Sequence, residues 1–265
     1  MKECFFESRG IAYRTNGFRS DRPTLVFIHG LGGSASAWFP YESIFGETHN
    51  LLTFDLRGHG KSAKYTRPED YALKNSADDL YALLTHLHIE TCVLVSHSFG
   101  TLVALEFLHA NPEKVSSVVL LSPTAFLRKT RWFLLVKIVG NLLVTLFRLL
   151  PFHPAIHERV DYAPFAQTGD WNVRRIFNDL RVTTPRIYLY CLAQAYAREY
   201  DALWGEFHLP TMIMHGKEDS IIPIKHAELL AKKIPGSTLV CLEHANHILV
   251  LNNIREVSEH LRALA

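Results

Sequence analysis

The stretch Val93-Leu94-Val95-Ser96-His97-Ser98-Phe99-Gly100-Thr101-Leu102-Val103-Ala104 brings two patterns together at one turn. Residues 91–95 form a short β-type run, and beyond the turn Leu102, Leu105 and Leu108 recur at helical spacing. Ser98 stands at the apex. Where a strand turns directly into a helix the two cross closely, so the positions two before and two after the apex must be small. The apex residue is held in a strained conformation that pushes its side chain outward. Gly100 meets the second demand and Ser96 the first, so the turn reads S-x-S-x-G. Ser/Gly-rich turns also occur without chemistry, so the flanking chain has to decide.

Outward from this turn the pattern is strand alternating with helix. Residues 3–8 and 11–16 flank Arg9-Gly10 as an N-terminal hairpin. The continuous apolar run 24–28 predicts a strand covered on both faces, followed by the glycine-rich loop His29-Gly30-Leu31-Gly32-Gly33-Ser34 and a helix from about Ser36. A strand at 51–54 runs into the tight turn Asp55-Leu56-Arg57-Gly58-His59-Gly60-Lys61-Ser62, and 75–88 has helical periodicity. Residues 115–121 form another buried strand. After a long interruption come a strand at 209–214, a helix at 225–233, a strand at 237–242 and an amphipathic helix at 252–264. This order implies an α/β fold, a mostly parallel sheet flanked by helices. The chain divides into a core, 1–124, an insertion, 125–205, and the rest of the core, 206–265.

Serine chemistry requires a base, a group to orient it and donors for an oxyanion, all from loops at the carboxyl ends of parallel strands. Candidates stand at each such loop. His247 follows the last strand, with His244 three residues earlier as its rival. Asp219 follows the preceding strand, with Glu218 beside it. The Phe99 N–H opens a helix, where the local dipole favours negative charge, and the Leu31 N–H lies in the glycine-rich loop. Neither a G-x-x-x-x-G-K-[ST] nor a complete G-x-G-x-x-G pattern marks that loop as a nucleotide site.

Taken together, these motifs resemble an α/β-hydrolase fold serine hydrolase, esterase- or lipase-like, over both core segments. The order Ser98…Asp219…His247, the His29-Gly30 loop, the Asp55 to Ser62 turn and the G-x-x-D-x-x-x-P pattern of Gly216, Asp219 and Pro223 carry the resemblance. It implies a catalytic Ser98, Asp219 and His247, and an oxyanion hole at Leu31 and Phe99. It implies carboxylic-ester cleavage without metal or organic cofactor, and a helical cap at 125–205. Ser96 departs from the family's usual glycine, as does Asn246 just before His247. Dehalogenases and epoxide hydrolases of this family carry aspartate where Ser98 stands. Asp55 and His59 match a structural turn of the family, and His97 is expected to pack beneath the elbow. C–C bond hydrolysis of a dienoic acid uses the same triad and would need a cation such as Arg174 or Arg175. A ligand receptor or scaffold with idle catalysis would keep the fold alone.

Within the insertion, Trp132 to Leu150 is apolar apart from Lys137, Asn141, Thr145 and Arg148, which share one helical stripe. Interior charges and its place within a sheet domain argue against a transmembrane span. It reads either as a helix buried against the core or as an amphipathic element with apolar surface left for an acyl chain or a membrane. Arg128, Lys129, Arg131 and Arg148 would suit anionic headgroups.

The composition fits this reading. Twenty-eight basic against 26 acidic residues give a net charge of +2, which argues against phosphate-driven nucleic-acid binding. Residues 125–205 carry 11 Lys/Arg and 6 Asp/Glu, so the insertion is the basic part. Cys4, Cys92, Cys191 and Cys241 lack metal or redox spacing, and Cys92 and Cys241 read as buried free thiols. No apolar leader follows Met1, so a cytoplasmic location is expected. The expected partner is a small or lipid-like ester; the pattern does not specify an oligomeric state.

Overall fold

Alternation of buried side chains on two faces builds the sheet. In the computed structural model, which describes residues 1–124, 126, 133–197 and 209–264, eight strands form one sheet. They are β1 (Lys2–Phe6), β2 (Ile11–Thr15), β3 (Thr24–Ile28), β4 (Asn50–Phe54), β5 (Cys92–His97), β6 (Val115–Leu121), β7 (Thr211–Gly216) and β8 (Thr238–Leu242). Their order is β1-β2-β4-β3-β5-β6-β7-β8; β2 pairs antiparallel with both β1 and β4, and all other neighbours pair parallel. Leu25, Phe27, Val93 and Val95 pack on one face against Trp38, Tyr41, Val257 and Leu261. Val26, Ile28 and Leu94 pack on the other, against Leu80, Leu84 and Leu102. Burying each such apolar side chain contributes about 1.5–3 kcal/mol. Double-sided cover fails at the edges, where β1 and β8 are partly open, so Cys241 on β8 is only half-buried while Cys92 is buried.

The helices around the sheet are α1 (Phe39–Phe45), α2 (Leu73–His86), α3 (Phe99–Ala110), α7 (Lys225–Lys233), α8 (Leu249–Asn252) and α9 (Ile254–Leu264). From β3 the chain leaves toward β4, whereas from β5 it leaves toward β6 on the opposite side. The loops after β3 and β5 therefore diverge and open a crevice, the usual ligand position in such sheets.

Between β6 and β7 lie α4 (Phe133–Leu149), α5 (Val173–Thr183) and α6 (Pro185–Ala197), with no strand among the described residues. Pro151 and Pro154 keep the chain after α4 irregular. The Asn172 side chain caps α5 by accepting the Arg175 N–H at 2.9 Å, and Pro185 occupies the first turn of α6. Arg128, Lys129, Arg131 and Trp132 lie outside the described residues. No residue of α4 is buried, so the expectation of a helix sunk into the core gives way to its alternative, an amphipathic helix with exposed apolar surface.

Candidate active site

Ser98 joins β5 to α3 at φ 50°, ψ −121°. A non-glycine residue held there stores about 1–3 kcal/mol of strain. The surroundings impose it: a Cβ on Gly100 would stand 2.5 Å from the His29 carbonyl and 2.7 Å from that of Ile28. Ser96 is tolerated in place of glycine because its buried hydroxyl donates to the Val119 carbonyl on β6 at 3.4 Å.

His247 and Asp219 meet this serine. The His247 Nδ1–H donates to Asp219 Oδ2 at 2.8 Å, which leaves Nε2 to accept the Ser98 hydroxyl at 2.8 Å. Asp219 Oδ1 accepts the N–H groups of Ile221 and Ile222 at 2.9 and 2.7 Å. Burial pushes the Asp219 carboxyl up, but the hydrogen bond and charge of His247 outweigh it and hold the pKa below its ordinary value. The rivals point elsewhere. The His244 side chain is 93% exposed and lies 3.3 Å from Glu218, away from the serine.

The glycine-rich loop is fixed by a neutral imidazole. His29 Nδ1–H donates to the Gly30 carbonyl at 2.8 Å, and Nε2 accepts the Leu56 N–H at 3.0 Å. Burial lowers its pKa to about 4. Leu31 and Phe99 both line the cavity over Ser98, and no acceptor among the described residues takes either N–H. His97 packs beneath: its Nε2–H holds the His247 carbonyl at 2.9 Å, and burial lowers it to about 3.

The cavity has a volume of about 540 Å³, with walls shared between core and insertion. Trp38, Phe99, Val136, Ile176, Leu192 and Val250 make it largely apolar. One side is polar. Tyr162 donates to Asp179 at 2.7 Å, and Arg175 pairs with Asp179 at 3.3 Å. Burial raises the Asp179 carboxyl to about 6, although Tyr162 and Arg175 pull it back. Arg175 also donates to the Asp170 carbonyl at 2.5 Å; its Nε is buried with no partner among the described residues. Among the described residues no cluster of His, Cys, Asp and Glu is arranged to hold a metal ion.

Two buried groups of the insertion escape sequence reasoning. The Asp170 carboxylate accepts the His247 N–H at 2.8 Å through Oδ1, and the Ser220 N–H and hydroxyl at 2.9 and 2.7 Å through Oδ2. It thus grips the loops carrying His247 and Asp219 together. Trp171 donates to the Ser220 hydroxyl at 3.0 Å, and Asn246 and Asn252 both donate to the Thr168 carbonyl at 2.9 Å. The second group is Arg159, whose Nε donates to the fully buried Asp55 at 3.0 and 2.8 Å. Asp55 also accepts the N–H groups of Ala35 and Lys61, and His59 lies buried with its Nδ1 on the Arg57 carbonyl. The Asp55 turn is therefore an anchor for the insertion and stands outside the Ser98 cavity.

A parallel sheet with a strained serine on the loop after its central strand defines an α/β hydrolase architecture. The sequence matches the alpha/beta hydrolase fold family over residues 23–254, and the chain belongs to that family. A RutD protein of Pseudomonas syringae pv. syringae (strain B728a), whose name proposes carbamate hydrolysis, is 29% identical over 92% of this chain and 93% of its own. The 3-oxoadipate enol-lactonase 2 of Acinetobacter baylyi is 25% identical over 89% and 85%. Among solved structures, a hydrolase from Pseudomonas aeruginosa PA01 superposes with a TM-score of 0.74 at 21% identity, covering 96% of this chain and 93% of that one. These relatives bear out the fold and a hydrolase.

Proposed function

We propose that the chain is a serine hydrolase of carboxylic esters with an apolar acyl part. The observation that carries this reading is the Asp219–His247–Ser98 relay, with both links at 2.8 Å, opening into a largely apolar cavity. His247 Nε2 takes the Ser98 proton as Oγ attacks the ester carbonyl. The N–H groups of Leu31 and Phe99 hold the oxyanion, each lowering the barrier by about 2.7–4 kcal/mol. As the tetrahedral intermediate collapses, His247 returns the proton to the departing alcohol. Water, deprotonated by the same nitrogen, then releases the acid from Ser98. The insertion serves as the cap that closes the cavity.

Carbamates and lactones, named for the relatives, present the same kind of acyl carbon and are substrates for the same machinery. C–C hydrolysis of a dienoic acid draws less support. Arg174 does not line the cavity, and two guanidinium nitrogens of Arg175 are committed to Asp179 and to the Asp170 carbonyl. A fluorophosphonate probe should label the protein at Ser98. Ser98→Ala should abolish labelling and lower kcat for p-nitrophenyl hexanoate by about 10⁴-fold with the fold intact. Retained labelling, or turnover within tenfold of the parent, moves the nucleophile elsewhere.

A further inference from the structure

Among the described residues, the outer face of α4 has no protein partner. Leu135, Ile138, Val139, Leu142, Leu146 and Leu149 all face solvent, with Leu142 67% and Leu149 79% exposed. The opposite side, with Val136, Gly140, Val144 and Phe147, lies against the body and packs on α6. An amphipathic helix in a protein bathed only by water exposes chiefly its polar side; this one exposes a row of leucines as well, alongside Asn141, Thr145 and Arg148. Trp171 and Phe177, beside and on α5, are exposed as well.

We propose that this face docks α4 in the plane of an anionic lipid surface. Charge selects that occupant. Residues 128–148 contain five Lys/Arg and no Asp/Glu, and basic residues beside an apolar face are what an anionic lipid surface attracts. Lys137 lies over the Phe133 ring, and Arg148 pairs with Glu69 at 3.0 Å; both charges are on the same helix as the apolar face. A second copy docked on this face would meet the same cations with no carboxylate from this stretch to answer them. Nor is the helix built to span: among the described residues none is long and apolar enough to cross a membrane.

The inner side of the same helix borders the cavity. Val136, Leu192 and Tyr196 line both the cavity over Ser98 and a groove of about 170 Å³ between α4 and α6. An amphiphilic ester held in the lipid surface would pass its chain along that groove toward the serine. This last step rests on the ester-hydrolase reading, whereas docking does not, and the test separates them. The full chain is mixed with vesicles of phosphatidylcholine alone or with 30% phosphatidylglycerol and sedimented, and its turnover of p-nitrophenyl acetate is measured without vesicles. The wild type should sediment with the anionic vesicles, and added salt should weaken binding. Leu142→Glu/Leu146→Glu, both at exposed positions, should bind at least about tenfold less with unchanged acetate turnover and thermal midpoint. A wild type that stays in the supernatant, or a double variant that binds equally well, overturns docking. A dimer that the double variant dissociates assigns the face to a second copy and overturns it too. If neither protein turns over any ester, the enzyme reading fails while the vesicle result stands.

Discussion

Ser98 holds its strained conformation because Gly100, Gly30 and the His29 carbonyl leave the chain no room to relax around it. That much is legible in the sequence once the strand before the turn and the helix after it are read together with its small residues. The choice between His244 and His247 is not, because three residues in a loop can face any direction until their partners are known. With His247 joined to Asp219 and Ser98, and His244 in solvent beside Glu218, His247→Ala should lower kcat by about 10⁴-fold. His244→Ala should cost less than about tenfold on the same ester; the reverse ranking in folded variants reverses the assignment. Asp170 leaves no mark in the sequence, because its partners are Ser220 and His247, 50 and 77 residues away, and two of its three hydrogen bonds are to backbone N–H groups. Displacing a catalytic group by about 1 Å costs on the order of a hundredfold. Asp170→Ala should therefore lower kcat about ten- to a hundredfold at nearly constant KM. A variant with kcat within twofold of the parent would make Asp170 merely structural.

At the scale of elements, the central strands are the most legible, since apolar runs bounded by turns have few alternatives; β3, β6 and α7 lie where the periodicity places them. The edge strands and the one-turn helix α8 are less so, because partial exposure blurs the pattern. For α4, periodicity gives a helix but not which face is covered, since that depends on α6 packing against it. Gly140 shows the consequence. It lines the groove between α4 and α6, and a Cβ placed there would meet nothing within 4 Å. A glycine inside a helix costs about 1 kcal/mol relative to alanine, and here it leaves the groove open. Gly140→Leu should therefore fill the groove without unfolding the helix. If an acyl chain runs there, kcat/KM for p-nitrophenyl decanoate should fall at least about tenfold relative to acetate, because each buried methylene contributes about 0.8 kcal/mol. Acetate turnover and the thermal midpoint should hold. An unchanged decanoate-to-acetate ratio would place the chain elsewhere in the cavity.

Across the whole molecule, the site is assembled on imidazoles that stay neutral inside the fold. His29 fixes the loop that carries Leu31, His97 holds the His247 carbonyl, and His59 is buried within the Asp55 turn to which Arg159 is tied. Burial lowers them from 6.5 to about 4, 3 and 3 respectively. An unfolded chain would take up these three protons as pH falls below 6.5, and the folded chain would not. Stability from these groups is therefore complete above pH 6.5 and is lost on acidification, at roughly 4 kcal/mol per pH unit once all three count. Asp219, with its lowered pKa, adds to the loss at lower pH, while Asp79, raised by burial, opposes it. Asp179 also opposes: pushed from 3.8 to about 6, it binds its proton more readily in the fold and offsets roughly 1 kcal/mol per pH unit between those values. The histidines outnumber it, so a net slope of about 3 kcal/mol per pH unit remains, and two pH units approach the 5–15 kcal/mol by which domains of this kind are stable. The urea midpoint, followed by tryptophan fluorescence, should fall steadily from pH 6.5 to 4.5. His97→Gln, whose amide can still donate to the His247 carbonyl, should remove about one proton from that slope. A midpoint flat across this range would mean that the fold accepts these histidines charged, and that the loops around Ser98 are not held by neutral rings.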